Sequence, residues 1–332
     1  MPAQAPLVDS FGRVHDNLRI SVTDRCNIRC FYCMPESDVH FVPRQEILDF
    51  EEIERFARIA VSLGIHKIRV TGGEPLLRRD LPALIQRLAS IPGVTDLALT
   101  TNGVLLDELA APLFDSGLRR INVHLDTLDR ARFQQITRRD DLGKVLAGLD
   151  RAREIGYQVK LNAVAVKHLL EPDIVPLACY ARERGFEVRY IEFMPLDAQN
   201  LWDRGKVLTA DEIIAMLSRE IAPLNAVPDP DPRAPATVYD FADGGGRVGF
   251  IASVSRPFCL NCNRRRLTAD GKLRYCLFAI EEDDVRALMR SSADDAAIAA
   301  LIRKNLAGKW EGHEINSARF VAPPRPMYSI GG

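Results

Sequence analysis

The stretch Leu18-Arg19-Ile20-Ser21-Val22-Thr23-Asp24-Arg25-Cys26-Asn27-Ile28-Arg29-Cys30-Phe31-Tyr32-Cys33 decides how the rest of the chain is read. Residues 18 to 23 read as a strand buried on both faces. Three thiols then follow within eight residues at CxxxCxxC spacing, at the carboxyl end of that strand. Thiolates on so short a loop can cap three corners of a 4Fe-4S cubane, which leaves the fourth iron without a protein ligand and open to a small molecule. Zinc is the competing reading. It normally takes four protein ligands and prefers CxxC pairs, with His40 as a candidate fourth.

Working outward, the same kind of strand recurs at residues 68 to 71, 97 to 101, 121 to 125, 159 to 166 and 188 to 193. Helices fit between them. The clearest begins at Asp49, with Glu52 three residues on as a capping box and Ile53, Phe56, Ala57, Ala60 and Val61 on one face, and stops at Gly64. Others read near 80 to 90, 104 to 116, 142 to 155 and 174 to 184. Six strand-helix repeats imply parallel pairing and right-handed crossovers, in a barrel-like or a doubly wound sheet. Either architecture gathers functional groups at the carboxyl ends of strands. The expected division is residues 1 to 222 and 223 to 332, because the segment from Pro223 to Pro235 is dense in proline and aspartate, as in a linker or surface excursion. Past it, 237 to 241 and 247 to 251 flank Asp243-Gly244-Gly245-Gly246 as a hairpin, whose glycines serve the turn and not phosphate binding. Helices follow near 281 to 291 and 295 to 307.

At the end of the second strand stands Thr71-Gly72-Gly73-Glu74-Pro75. Paired glycines allow close backbone approach to a ligand, Glu74 can accept from an ammonium group, and Pro75 stops the strand. A second cysteine grouping, Cys259, Cys262 and Cys276, straddles a hairpin-like segment and reads as a second cluster with an open iron, or as a zinc knuckle lacking its histidine. Cys179, on a helix face, reads as a small buried hydrophobe. Six ligands plus one packing residue account for all seven cysteines.

Composition narrows the class further. The chain has 332 residues, 47% of them apolar, and a net charge of -1. That argues against a disordered or fibrous protein and against a broad nucleic-acid surface. No run reaches about 18 apolar residues and no secretory h-region is readable, so a cytoplasmic home with reduced thiols and no membrane partner is expected. Only eight of the 44 basic residues are lysine. Genomic base composition explains most arginines, yet the guanidinium fork also suits a local phosphate site. No GxxxxGK[ST] occurs, so nucleotide binding cannot be of P-loop type.

Taken together, these residues resemble the radical S-adenosylmethionine (SAM) superfamily, and within it the MoaA-type GTP 3′,8-cyclases of molybdenum cofactor biosynthesis. The likeness runs over essentially the whole chain, through LRISVTDRCNIRCFYCMP, KIRVTGGEPLLR, LTTNG, INVHLDTLD, EFMP, CNRRRLTADGKLRYCL and the terminal Gly331-Gly332. It implies an incomplete (β/α)6 TIM-like barrel whose C-terminal region carries a second 4Fe-4S cluster and covers the barrel mouth. It also implies a lyase in which Cys26, Cys30 and Cys33 hold the SAM-cleaving cluster and Cys259, Cys262 and Cys276 hold one that binds guanine. The 5′-deoxyadenosyl radical would take the ribose 3′ hydrogen of GTP, and the ribose radical would close on guanine carbon 8.

By motif position, Tyr32, Gly73, His124 and Met194 match SAM contacts. Arg19, Arg69, Thr100 and Lys160 match GTP contacts, with the basic ones converging on one barrel mouth, and Arg189 is a further candidate. Arg264 and Arg266 match arginines that touch GTP and aid the late steps, Arg265 between them pointing away. Gly331 and Gly332 would reach the active site. His124 is a departure, since the family usually has serine there; its ring could hydrogen-bond SAM, stack on adenine, or be a core histidine. The resemblance further implies a reductant such as a flavodoxin, a downstream cyclic pyranopterin monophosphate synthase and a homodimer. Two alternatives stay open, another two-cluster radical SAM enzyme such as a peptide-modifying maturase, and a non-catalytic zinc or iron-sulfur binding module.

Overall fold

Six strands run in chain order and each pairs in parallel with the next: β1 (Asn17–Ser21), β2 (Lys67–Thr71), β3 (Asp96–Thr101), β4 (Arg120–His124), β5 (Gln158–Ala165) and β6 (Glu187–Glu192). The computed structural model describes residues 5–228 and 231–331. Parallel neighbours cannot be joined by a tight turn, so helices carry the crossovers. These are α1 (Phe50–Ser62), α2 (Leu81–Ala89), α3 (Leu106–Asp115), α4 (Arg130–Thr137) with α5 (Leu142–Ile155), and α6 (Glu171–Arg184).

The start of α1 is set by a reciprocal cap. The Asp49 carboxylate accepts from the Glu52 amide at 2.7 Å, and Glu52 accepts from the Asp49 amide at 2.9 Å. Ile53, Phe56, Ala57, Ile59 and Ala60 are buried behind it. After Ser62 the chain turns through Gly64, whose φ of +98° suits a residue without Cβ.

Beyond β6 come α7 (Ala210–Glu220), β7 (Leu224–Ala226), β8 (Thr237–Phe241), β9 (Arg247–Ile251), β10 (Arg264–Leu267), β11 (Lys272–Arg274), β12 (Asp283–Asp284), α8 (Val285–Arg290), α9 (Asp295–Ala307) and α10 (Met327–Ile330). The proline- and aspartate-rich excursion therefore contains a strand, and part of it lies outside the described residues. β9 joins β6 in parallel and β10 joins β1 in parallel, giving the order β12-β11-β10-β1-β2-β3-β4-β5-β6-β9-β8-β7. The C-terminal third thus widens the incomplete barrel at both edges of one sheet.

One expectation is corrected here. The strands are not apolar on both faces. On one face Leu18, Ile20, Ile68, Val70, Leu99, Ile121, Val123, Leu161 and Val188 are buried within the core that also takes up the helices. The other face carries Arg19, Arg69, Thr100, Asn122, His124, Lys160, Asn162 and Arg189, all on alternate residues linked by register. The sheet curls around that polar face. Arg69 on β2 and Arg189 on β6 feel each other's charge although β3, β4 and β5 lie between them.

Candidate active site

The loop after β1 brings Cys26, Cys30 and Cys33 to a cavity of about 210 Å³ at the carboxyl ends of the strands. Thr71, Gly72 and Gly73 from β2, Thr100 to Asn102 from β3, His124 from β4, Asn162 from β5 and Met194 after β6 complete it with Tyr32, Met327 and Tyr328. All the sequence-predicted SAM contacts, Tyr32, Gly73, His124 and Met194, share this cavity. Burial pushes the Cys26 thiol up to about 12, with the Glu74 charge adding to it. Burial, then Cys30 and Cys26, hold Cys33 well above the usual range. Three soft thiols pressed together at one cavity, two of them raised by burial, suit a cationic iron cluster. Among the described residues no three metal-ligating side chains close on a single-ion site. His40, the zinc alternative's fourth ligand, is exposed.

The loop is locked to β2 by backbone. Gly73 donates to the Thr23 carbonyl at 2.6 Å and Glu74 to the Arg25 carbonyl at 2.7 Å. A Cβ on Gly73 would lie 2.4 Å from the Arg25 carbonyl oxygen. Glu74 itself has a different duty from the one its sequence suggests. It is fully buried and accepts from Thr101 Oγ1 (2.7 Å), the Asn102 amide (2.7 Å) and the Leu76 amide (2.9 Å). Burial pushes its carboxyl up to about 7 even so. Its oxygens join β2 to β3 and do not face the cavity's ligand.

His124 is neither free nor a packing residue. Its Nε2 lies 3.0 Å from Asp126 Oδ2, and the Tyr32 hydroxyl touches both. Burial opposes its charge, but Asp126 and Cys30 outweigh that and raise it to about 10. Asp126 also accepts from the Val164 amide at 2.8 Å, so one carboxylate ties the cysteine loop to β4 and β5.

Deeper between the strands lies a row of cations. Arg19 pairs in register with Arg69 on one side and Arg266 on the other, mid-strand and not at the mouth. Mutual repulsion is visible in their acidity. Burial, then Arg266, Arg264 and Arg69, hold Arg19 well below the usual value, and burial with Arg189 and Arg120 brings Arg69 to about 10. Arg19 Nε and Arg69 Nη1 are buried and have no hydrogen-bond partner among the described residues. Lys160 and Arg189 are less available, both being paired to Glu187, at 2.8 and 2.5 Å. Thr100 lines the first thiols' cavity.

The second thiol set sits at the opposite end. Cys259 and Cys262 precede β10, whose first residue aligns with Asn17 at the start of β1, whereas Cys26 follows the end of β1. At about 3.3 Å per residue the ends of β1 are roughly 15 Å apart. Arg264 Nη2 stands 3.5 Å from Cys262 Sγ with its guanidinium over the Phe258 ring, and Arg264 and Lys309 bring Cys262 down to about 6 against the effect of burial. Arg265 turns the other way, to Asn305 on α9. The His313 amide faces Cys259 while its ring packs on Phe278. Arg13 reaches in from the N-terminal segment to the carbonyls of Cys259 and Glu311 at 2.8 Å and of Trp310 at 2.7 Å. Sequence spacing could not have found these partners. Cys179 is half-buried on α6, away from both sets.

The tail enters the barrel. Arg266 donates to the Gly331 carbonyl. Gly331 has a φ of +94°, and a Cβ there would fall 2.7 Å from Ser21 Cβ and 2.9 Å from Thr71 Oγ1. Gly332 lies outside the described residues.

Known proteins resemble this chain in both sequence and shape. Residues 20–178 match the radical SAM superfamily and residues 186–315 match the Molybdenum Cofactor Synthesis C family. A "GTP 3′,8-cyclase" of Rhodopirellula baltica is 48% identical over 98% of this chain and 92% of its own length. "GTP 3′,8-cyclase 2" of Mycobacterium bovis is 47% identical over 100% and 94%. Among solved structures, Streptococcus suis SuiB bound to S-adenosylmethionine aligns with a TM-score of 0.59 at 14% identity, covering 87% of this chain and 68% of that one, a likeness of fold alone. With the same domains in the same order and relatives nearly half identical from end to end, the chain belongs to the GTP 3′,8-cyclase family of the radical SAM superfamily.

Proposed function

We propose that the chain converts GTP to 3′,8-cyclo-7,8-dihydro-GTP, the first step of molybdopterin biosynthesis. The observation that carries this reading is the row of buried, unpartnered guanidinium nitrogens between two thiol sets at opposite ends of the barrel. Unpaired buried cations are costly, and a triphosphate repays that cost by accepting their hydrogen bonds. The thiol sets fit 4Fe-4S clusters on Cys26, Cys30 and Cys33 and on Cys259, Cys262 and Cys276. When bound, the first supplies the electron that cleaves SAM to methionine and a 5′-deoxyadenosyl radical.

The chain's own groups do the positioning. Gly73 gives SAM a backbone edge without a side chain, and Tyr32, steadied by Asp126 and His124, walls the cavity opposite it. Arg19, Arg69 and Arg266 hold the substrate's phosphates so that the ribose meets the SAM cavity. Arg266 also holds the Gly331 carbonyl, which sets the tail against Ser21 and Thr71 beside the cavity that Tyr328 lines, where it limits the access of water and oxygen. A flavodoxin-like reductant, a cyclic pyranopterin monophosphate synthase taking the product, and a homodimer complete the proposal. Among the described residues no helix is long and apolar enough to cross a membrane, and the need for six reduced thiols supports a cytoplasmic home.

The test is an anaerobic, reductant-driven assay of 5′-deoxyadenosine against a panel of nucleotides and peptides. Only GTP should support it. Arg69→Ala should raise the KM for GTP roughly tenfold to a hundredfold, the equivalent of about 1.5–3 kcal/mol for one charged hydrogen bond. An unchanged KM would remove Arg69 from the phosphate site, and peptide-dependent turnover would favour the maturase reading.

A further inference from the structure

Lys309 is 5% exposed, yet it makes no ion pair with a carboxylate among the described residues. Its Nζ lies 2.6 Å from the Tyr275 carbonyl and 3.7 Å from Cys262 Sγ. Tyr275 directly precedes Cys276, so a single amine bridges two of the three ligand-bearing positions. More positive charge surrounds it. Arg264 Nη2 is 3.5 Å from the same sulfur, and Arg13 pins the backbone on the C-terminal side of Lys309 through the Trp310 and Glu311 carbonyls. Asp9 takes up the Arg13 charge at 2.6 Å, which leaves the buried ammonium and the Arg264 guanidinium with the thiolates as their negative neighbours.

We propose that Lys309 is a positioning residue of the second cysteine set that sets the reduction potential of the cluster held there. The inference rests on the cyclase reading, which places a cluster on these thiols. An N–H donated to a ligand sulfur, and a positive charge held beside it, both stabilise the more negative, reduced state. Arg13 fixes Lys309 through backbone carbonyls and leaves its amine free to aim at Cys262. The first cluster, at the far end of the barrel, has no equivalent lysine among its lining residues.

The test uses full-length protein carrying Cys30→Ala, reconstituted anaerobically so that the second cluster alone reports in an EPR-monitored redox titration. Lys309→Met and Lys309→Gln are compared with their Cys30→Ala parent. Both should make the second cluster harder to reduce, by about tenfold in the reduction equilibrium, or about 59 mV for one electron. The glutamine variant keeps a donor and removes the charge alone, so it guards against a merely structural effect. An unchanged midpoint at full iron content in either variant overturns the proposal. Loss of the cluster's iron in both overturns it too, since Lys309 would then be a structural tie. A parent that loads no cluster at all sinks the cyclase reading itself, a result distinguishable from either.

Discussion

Cys30→Ala is expected to bring 5′-deoxyadenosine formation down to background while leaving the chain folded. Cys30 is the most buried of the first three thiols, at 6% exposure, and it joins a loop already closed by the Cys33 and Met34 amides, which donate to its carbonyl at 2.9 Å. Those backbone bonds survive the substitution, so the loop keeps its shape and loses one ligand. Among the described residues no replacement stands nearby, because His40 is exposed and the carboxylate of Glu74 is spent on Thr101 and Asn102. Iron content should fall to about half, since the second set lies at the other end of the barrel. Iron analysis and the SAM-cleavage assay check this together. Retention of full iron with full turnover would show that Cys30 is not a ligand.

Gly73→Ala should cost about a hundredfold in SAM cleavage without removing iron. A methyl group there would press on carbonyl oxygens of Arg25 at 2.4 Å and Asp24 at 2.7 Å, backbone atoms that cannot rotate away. Relief requires the segment before Cys26 to move by several tenths of an ångström, against two short backbone hydrogen bonds. Overpacking of this kind costs about 1–3 kcal/mol of stability, and a misplacement near 1 Å at a reacting centre costs about a hundredfold in rate. SAM affinity by calorimetry and the 5′-deoxyadenosine rate should both fall. A variant within twofold of the parent in both would mean that the close approach of Gly73 is dispensable.

The parts legible in the sequence are those written locally. CxxxCxxC after a strand, the Asp49–Glu52 cap and the Gly-Gly-Glu-Pro turn each fit within a few residues, and each stands where its pattern places it. What escaped was non-local. Arg13 meets Cys259 across 246 positions, and Lys309 meets Cys262 across 47, separations that no spacing rule connects. The polar lumen was hidden differently. Short strands such as β2, Lys-Ile-Arg-Val-Thr, read as uniformly β-branched, though their alternate arginines mark a second, wet face. Helix α4 escaped because only Phe133, Ile136 and Thr137 are buried on it, too short a stripe to show a period. Glu74 was legible as important and misread in role, since its partners on β3 are 27 and 28 residues away.

The most direct measurement is a single incubation of the reconstituted, reduced enzyme with SAM and GTP deuterated at the ribose 3′ carbon. The account predicts deuterium in the 5′ methyl group of 5′-deoxyadenosine, formed only when GTP is present, alongside a product with the mass of 3′,8-cyclo-7,8-dihydro-GTP. SAM cleavage that is indifferent to GTP, or 5′-deoxyadenosine without deuterium, would contradict it.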